Sequence, residues 1–213
     1  MNSVSDYPKS LKEPRARQQK LAKLNAVNIR PLTHFVKEIR KETGLGKNIP
    51  YFDPDDGGVD ARCLFLLEAP GPKAVESGFI SRNNPDETAK NFFDLNQQAG
   101  IPREVTVTWN IVPWYIGTGR KIRAANNHDI LEGIKYLTQL LFLLPKLELV
   151  VLIGKKAQKA EVVIKEQIPE MELMSMYHPS PMFINRAPGH RDKVLMSLQK
   201  VARFLAQGNN KAP

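Results

Sequence analysis

Arg62-Cys63-Leu64-Phe65-Leu66-Leu67-Glu68-Ala69-Pro70-Gly71 decides how this chain folds. Five apolar residues in a row, Cys63 to Leu67, are what a strand covered on both faces of a parallel sheet requires, whereas a half-exposed antiparallel strand would alternate. The run ends in a polar, Pro-stiffened turn. Outward from it, Val105 to Trp109, Leu147 to Ile153 and Glu172 to Met176 read as further strands. Helical patterns lie between and after them, at Asp86 to Ala99, Ile130 to Leu144, Lys155 to Glu166 and Arg191 to Gln207, the last with Val194, Leu198, Val201 and Leu205 on one face. Strand alternating with helix over this length predicts a three-layer αβα sandwich around a central, mostly parallel four-stranded sheet.

Upstream, residues 1 to 60 are basic and Pro-punctuated and read as a helical N-terminal extension. One helix is expected from roughly 14 to 27, and a second from Thr33 to Glu42 that ends at Gly44, a suitable C-terminal cap. Asp53-Pro54-Asp55-Asp56-Gly57-Gly58 is turn chemistry. It resembles a calcium loop only faintly, because no Glu closes it at the required spacing, and no metal is expected. Residues 61 to 208 then form the expected catalytic domain and 209 to 213 a flexible tail.

The chain carries a formal net charge of +9, which favours a polyanionic partner, nucleic acid before membrane. Cys63 is the single cysteine, so an internal disulfide, and a cluster held by several cysteines of one chain, are excluded. The charged N-terminus does not read as a secretory signal. The stretch around Leu140 to Leu144 is too short to span a bilayer. The expectation is an intracellular protein of cytoplasm or nucleoid, a nuclear location remaining open, with no membrane contact and a monomeric state.

In an open parallel sheet, ligands sit beyond the carboxyl ends of the strands. Glu68-Ala69-Pro70-Gly71 follows the first strand, Asn110 the second, Gly154 the third and His178-Pro179-Ser180-Pro181 the fourth. Singly, each has a structural explanation: a tight turn, a strand-end amide, a histidine bonded to backbone. Together they converge on one crevice.

Those segments, in that order, resemble the uracil-DNA glycosylase superfamily from Leu67 to about Ser197. Glu68 to Gly71 match the first signature of the branch that reads Gly-Glu-Ala-Pro-Gly, with Leu67 in place of the first Gly, and His178 to Pro181 match the second signature in full. Phe79-Ile80-Ser81-Arg82 resembles a Phe-Val-Gly-Arg segment, Trp109-Asn110-Ile111-Val112 an Asn-Val-Val strand end, and Tyr136 through Leu144-Pro145-Lys146 to Gly154 the helix-strand-turn of that branch. The chain departs from it in three places. It has one cysteine where the iron-sulfur branch uses four; Ala74 stands where a Glu is common, with Glu76 nearby; and Trp114, Tyr115 and Gly117-Thr118-Gly119-Arg120-Lys121 replace a Lys-Cys-Arg-Pro stretch.

The resemblance implies a monofunctional uracil-DNA glycosylase of base-excision repair, which flips deoxyuridine out of DNA and hydrolyses its N-glycosidic bond without a cofactor. His178 would stabilise the departing base at O2, and the Asn110 amide would match the O4 and N3–H edge. Phe79 would stack on the extruded base, with backbone at Ala69 and Gly71 alongside. Glu68 would polarise water and counter sugar charge, or else serve as a structural carboxylate. Ser81, Lys155, Lys156 and Ser180 would meet phosphates, with Met182, Phe183 or Arg186 wedged into the vacated stack. No lysine stands out as a Schiff-base former. Excision of hypoxanthine or xanthine on the same scaffold, and a binding protein without turnover, are the alternatives; a small-molecule hydrolase lacks a nucleophile elbow or paired acidic metal site.

Overall fold

A computed structural model describes residues 6–118 and 122–208; the expected tail and Gly119-Arg120-Lys121 lie outside the described residues. In chain order the strands are β1 (Tyr51–Phe52), β2 (Cys63–Leu67), β3 (Phe79–Ile80), β4 (Thr106–Asn110), β5 (Leu149–Ile153) and β6 (Glu172–Met176). The helices are α1 (Pro14–Ala22), α2 (Arg30–Thr43), α3 (Pro72–Ser77), α4 (Glu87–Ala99), α5 (Asn127–Phe142), α6 (Gly154–Ala157), α7 (Glu161–Gln167), α8 (Pro181–Ile184) and α9 (His190–Gly208). The main sheet runs β4-β2-β5-β6, and every pairing in it is parallel. All four carboxyl ends therefore share one edge.

The continuous apolar runs are explained by burial on two faces. On one face Leu64 and Leu66 of β2, Val107 and Trp109 of β4, and Val150 and Leu152 of β5 pack with Leu32, Val36 and Ile39 of α2 and Leu137, Leu140 and Leu141 of α5. On the other, Cys63, Phe65, Leu149, Val151 and Ile153 meet Phe92 and Leu95 of α4 and the Val194, Leu198, Val201, Leu205 stripe of α9. The period-2 alternation thus places one helix pair on each face, the three layers expected. On β4 the phase sends the polar residues Thr106, Thr108 and Asn110 to the α4 side, and all three are buried.

Residues 30 to 52 are not an appendage. Ile29, Leu32, Phe35, Val36, Ile39, Ile49 and Phe52 belong to the same core as the sheet, and Phe52 stacks on Trp109 with ring centroids 4.0 Å apart. Helices α1 and α2 lie within the extension expected over 1 to 60, and its residues 29–52 supply much of the cover for one sheet face. Its second helix ends as anticipated, Gly44 taking φ 69 and donating its N–H to the Arg40 carbonyl. The helix expected over 155–166 is instead two helices, α6 and α7, joined by a tight turn at Gln158–Ala160.

The Asp-rich turn is the centre of a buried charge network. Asp53 accepts hydrogen bonds from Lys20 Nζ at 2.5 Å, from Arg103 Nη2 at 2.5 Å and from the Ser81 hydroxyl. Asp56 accepts from Arg103 Nε at 2.7 Å, with Arg82 Nε 4.0 Å away. Burial alone would raise the Asp53 carboxyl, but Arg103 and Lys20 outweigh it and hold it well below the usual carboxylate range. Burial wins at Asp56, which is pushed up to about 6 against the pull of both arginines. Among the described residues no cluster of side chains suits a metal ion, and no helix is long and apolar enough to cross a membrane.

Candidate active site

A cleft of about 480 Å³ opens at the carboxyl edge of the sheet, within the size range of small-molecule sites. Glu68 to Ala74 form one side, Ile80 to Arg82 with Asn84 and Phe92 a second, Thr108 and Asn110 lie on β4, and His178 closes it from β6. The sequence expectation that Glu68, Asn110 and His178 meet is thus met in space.

Each is fixed by local chemistry. Glu68 follows β2 directly; its carbonyl accepts from Val112 N–H at 2.9 Å, and Leu67's carbonyl accepts from Ile111 N–H at 2.8 Å, so the strand pairing continues past Asn110. One carboxylate oxygen of Glu68 accepts the Ala125 N–H at 2.7 Å. Lys156 Nζ donates to the carbonyl of the same Ala125 at 2.5 Å. Both thereby hold the segment Ile122–Asn126, whose first residues line the cleft. His178 sits on the turn after β6, above Gly154, whose φ of 82 is a conformation suited to glycine. The turn is tied to α4 by Asn91 Nδ2, which donates to the Pro179 carbonyl at 3.0 Å. Burial lowers the His178 pKa, and the Glu68 charge only partly offsets this, so the imidazole is neutral at pH 7.

Three polar atoms of residues lining the cleft have no hydrogen-bond partner among the described residues, two of them on β4: Asn110 Nδ2 and Thr108 Oγ1. Their residues are 4% and 5% exposed. The third is Nε of the buried Arg82, whose Nη2 donates to Thr106 Oγ1 at 2.8 Å.

Other expected residues fall elsewhere. Phe79 is fully buried among Leu11, Ala16 and Tyr51 and does not reach the cleft, because pairing of β3 with β1 turns its ring to the N-terminal segment. The ring that lines the cleft is Phe92 of α4, edge-on to Phe65 with centroids 5.0 Å apart. It sits on the apolar face of α4 and reads as plain core in the sequence. Ser81 lines the cleft, but its hydroxyl is bound to Asp53 and is not free for phosphate. Ser180 caps α8, accepting from Phe183 N–H at 3.4 Å. Phe183 is stacked between Tyr177 and His190, with centroids 4.5 and 4.4 Å away, which ties it down. Met182 beside it is 86% exposed. Lys155 and Arg186 are exposed at the same edge; Lys156, held on Ala125, is only partly so. Backbone at Ala69 and Gly71 lines the cleft, and Ile122 Cδ1 would lie 3.9 Å from a Cβ at Gly71.

The family pattern of the Uracil DNA glycosylase superfamily matches residues 54–199. The chain belongs to that superfamily. Among curated proteins none matches its sequence significantly. Among solved structures it is similar to the crystal structure of wild-type Pedobacter heparinus SMUG2, at 14% identity and TM-score 0.52 over 87% of each chain. It is also similar to the solution NMR structure of a candidate uracil DNA glycosylase from Methanosarcina acetivorans, at 15% identity and TM-score 0.46, covering 67% of this chain and 91% of that one. At 14% identity the likeness to the SMUG2 structure bears on the fold alone. Membership of the superfamily supports a DNA N-glycosylase, a hydrolase of DNA repair whose partner is DNA.

Proposed function

We propose that the protein is a monofunctional uracil-DNA glycosylase that acts as a monomer and leaves an abasic site. The observation that carries the reading is a half-buried imidazole, His178, whose environment favours its neutral form, sharing one cleft with an unpartnered buried amide, Asn110. Breaking the N1–C1′ bond sends its electron pair into the base, where charge collects around O2, while the sugar becomes oxocarbenium-like. A neutral His178 N–H hydrogen-bonded to O2 stabilises that charge where it develops. Asn110 holds the O4 and N3–H edge, and Ile80 and Phe92 supply the apolar walls against which the flipped base rests.

Water then adds its oxygen to C1′, and the proton it gives up neutralises the released uracil anion by way of Glu68 or solvent. Glu68 is the carboxylate beside that step. One of its oxygens is occupied by Ala125, so it counters sugar charge and orients water from a fixed position, joining the structural and the electrostatic role. Lys155 and Arg186 contact phosphates, an affinity that falls with salt, and Met182 is the wedge. The test is release of base from oligonucleotides carrying uracil, hypoxanthine, xanthine or thymine, scored by alkaline strand cleavage. Uracil release alone supports the proposal. Release of several bases moves the assignment to a broader glycosylase, and salt-sensitive DNA binding without release moves it to a binding protein.

A further inference from the structure

Two adjacent lysines just past a strand end, Lys155 and Lys156, read alike in the sequence as phosphate contacts. The structure separates them. Lys155 is exposed, whereas Lys156 is half-buried and its Nζ donates to the Ala125 carbonyl at 2.5 Å. A charged donor makes the stronger kind of hydrogen bond, and here it is directed at the protein's own backbone. Ala125 is 1% exposed, and its N–H donates to Glu68 Oε1 at 2.7 Å. One buried residue therefore joins the ammonium to the carboxylate, through its carbonyl on one side and its N–H on the other. The neighbouring anchors hold other groups: Arg123 donates to Asp129, and Asn126 and Asp129 form the capping box that starts α5. Lys156 also stands on firm footing. Its short helix α6 follows β5 directly, and Ile153 before it and Ala157 within it are fully buried. Gly154, the first residue of α6, lies against His178, whose Cβ would be 3.7 Å from a Cβ placed there. The element that carries Lys156 thus also abuts His178 on the other side of the cleft.

We propose that Lys156 is a positioning residue for the Glu68 carboxylate, acting through Ala125, and that it is not a phosphate contact. Without the ammonium, the carbonyl of a residue sealed from solvent loses its donor, which is unfavourable unless the segment shifts to find another. A shift of Ala125 carries its N–H away from Glu68. A carboxylate released in this way no longer stands where sugar charge develops, and misplacement of a reacting group lowers rate rather than affinity for DNA. A phosphate contact behaves in the opposite manner: its loss weakens binding and reduces the salt dependence, because one fewer counterion is released.

This inference rests on the role proposed for Glu68 and is tested beside it. Wild type, Lys156→Met, Lys156→Arg and Lys155→Met are compared on one duplex. Two quantities are read: the single-turnover rate of uracil release at saturating enzyme, and the salt dependence of Kd for the same duplex without uracil. Lys156→Met is expected to lose about tenfold or more in rate with an unchanged salt slope. Lys156→Arg, which still carries a charged donor, recovers most of the rate. Lys155→Met gives the contrasting pattern, weaker binding and a slope smaller by about one. In a Glu68→Gln background Lys156→Met loses little further rate, because the charge it positions has already gone. A lysine that only supports the fold would lower Tm, leave the rate of the folded enzyme alone and add its full effect to that of Glu68→Gln. Lys156→Met at the wild-type rate, or with a salt slope smaller by about one, overturns the inference. A wild-type protein that releases no uracil, or Glu68→Gln as fast as wild type, overturns the reading beneath it. Should Lys156→Met fold poorly, Lys156→Gln, which keeps a polar end without the charge, is carried through the same comparison.

Discussion

Replacing Arg103 by Met removes the group on which the buried charge network turns. Arg103 donates to Asp53 Oδ2 at 2.5 Å, Asp56 Oδ1 at 2.7 Å, Asn83 Oδ1 at 2.8 Å and Asp6 Oδ1 at 2.7 Å. Asp53 would keep Lys20 and the Ser81 hydroxyl. Asp56 would keep only Arg82 Nε at 4.0 Å, too far for a hydrogen bond. Its carboxylate would be buried without a bonded cation, a situation that costs about 3–5 kcal/mol. For a chain of this length that lowers Tm by about 6–20 °C. The pair Arg123–Asp129, in which the arginine side chain is 52% exposed and Asp129 keeps the Asn126 N–H, is the control: Arg123→Met should lower Tm far less than Arg103→Met. The pH dependence gives a second reading. Burial raises Asp56 to about 6 from 3.8, so the folded state holds a proton that the unfolded chain has released, and stability from this group falls as pH climbs through that window. Without Arg103 the carboxyl rises further. The stability lost by Arg103→Met is therefore largest at pH 8 and shrinks towards pH 5. Thermal unfolding at the two pH values is the assay. A Tm loss equal to that of Arg123→Met, or a gap that widens on acidification, refutes the reasoning.

Glu68→Gln keeps an acceptor for the Ala125 N–H and removes the charge; Tm should stay within about 4 °C while single-turnover uracil release drops by more than about tenfold, and Glu68→Ala should lose Tm as well. A Cβ at Gly133 would stand 1.9 Å from the Ile111 carbonyl oxygen, so Gly133→Ala forces α5 away from the end of β4 and should cost about 1–3 kcal/mol or more, read by denaturant unfolding, with slower release because Ile111 follows Asn110. Met182→Ala should slow uracil release from duplex DNA more than from single strands, in a side-by-side rate comparison, because only the duplex has a stack to re-fill.

The two central strands were legible because burial on both faces demands unbroken apolar runs, and Leu64–Leu66 and Val150–Leu152 have no polar interruption; β4 and β6 carry polar residues and were placed by their alternation with helices. Asn110, Glu68 and His178 followed from parallel topology, since strand ends converge without any knowledge of side-chain packing. What escaped was set by contacts distant in sequence. Phe79 keeps the aromatic character of a stacking ring, yet pairing between β1 and β3, two residues each, turns it inward. Asp53 and Asp56 look like a solvated turn until Lys20 and Arg103 arrive from elsewhere in the chain. Phe92 gives the ordinary signature of a buried helix face, and it serves both core and cleft.

The most direct measurement is the single-turnover rate of uracil release from duplex DNA between pH 5 and 8.5, for wild type and His178→Ala. Desolvation in the cleft holds the His178 imidazole below its ordinary 6.5, and its contribution to stability is complete above that value and lost as pH falls through the folded pKa. The predicted rate is flat above 6.5 and declines only at lower pH as His178 gains a proton, and His178→Ala is slower by about 10²–10³-fold across the plateau. A rate that climbs as pH drops through 6.5, or a His178→Ala variant as fast as wild type, contradicts the neutral-donor account.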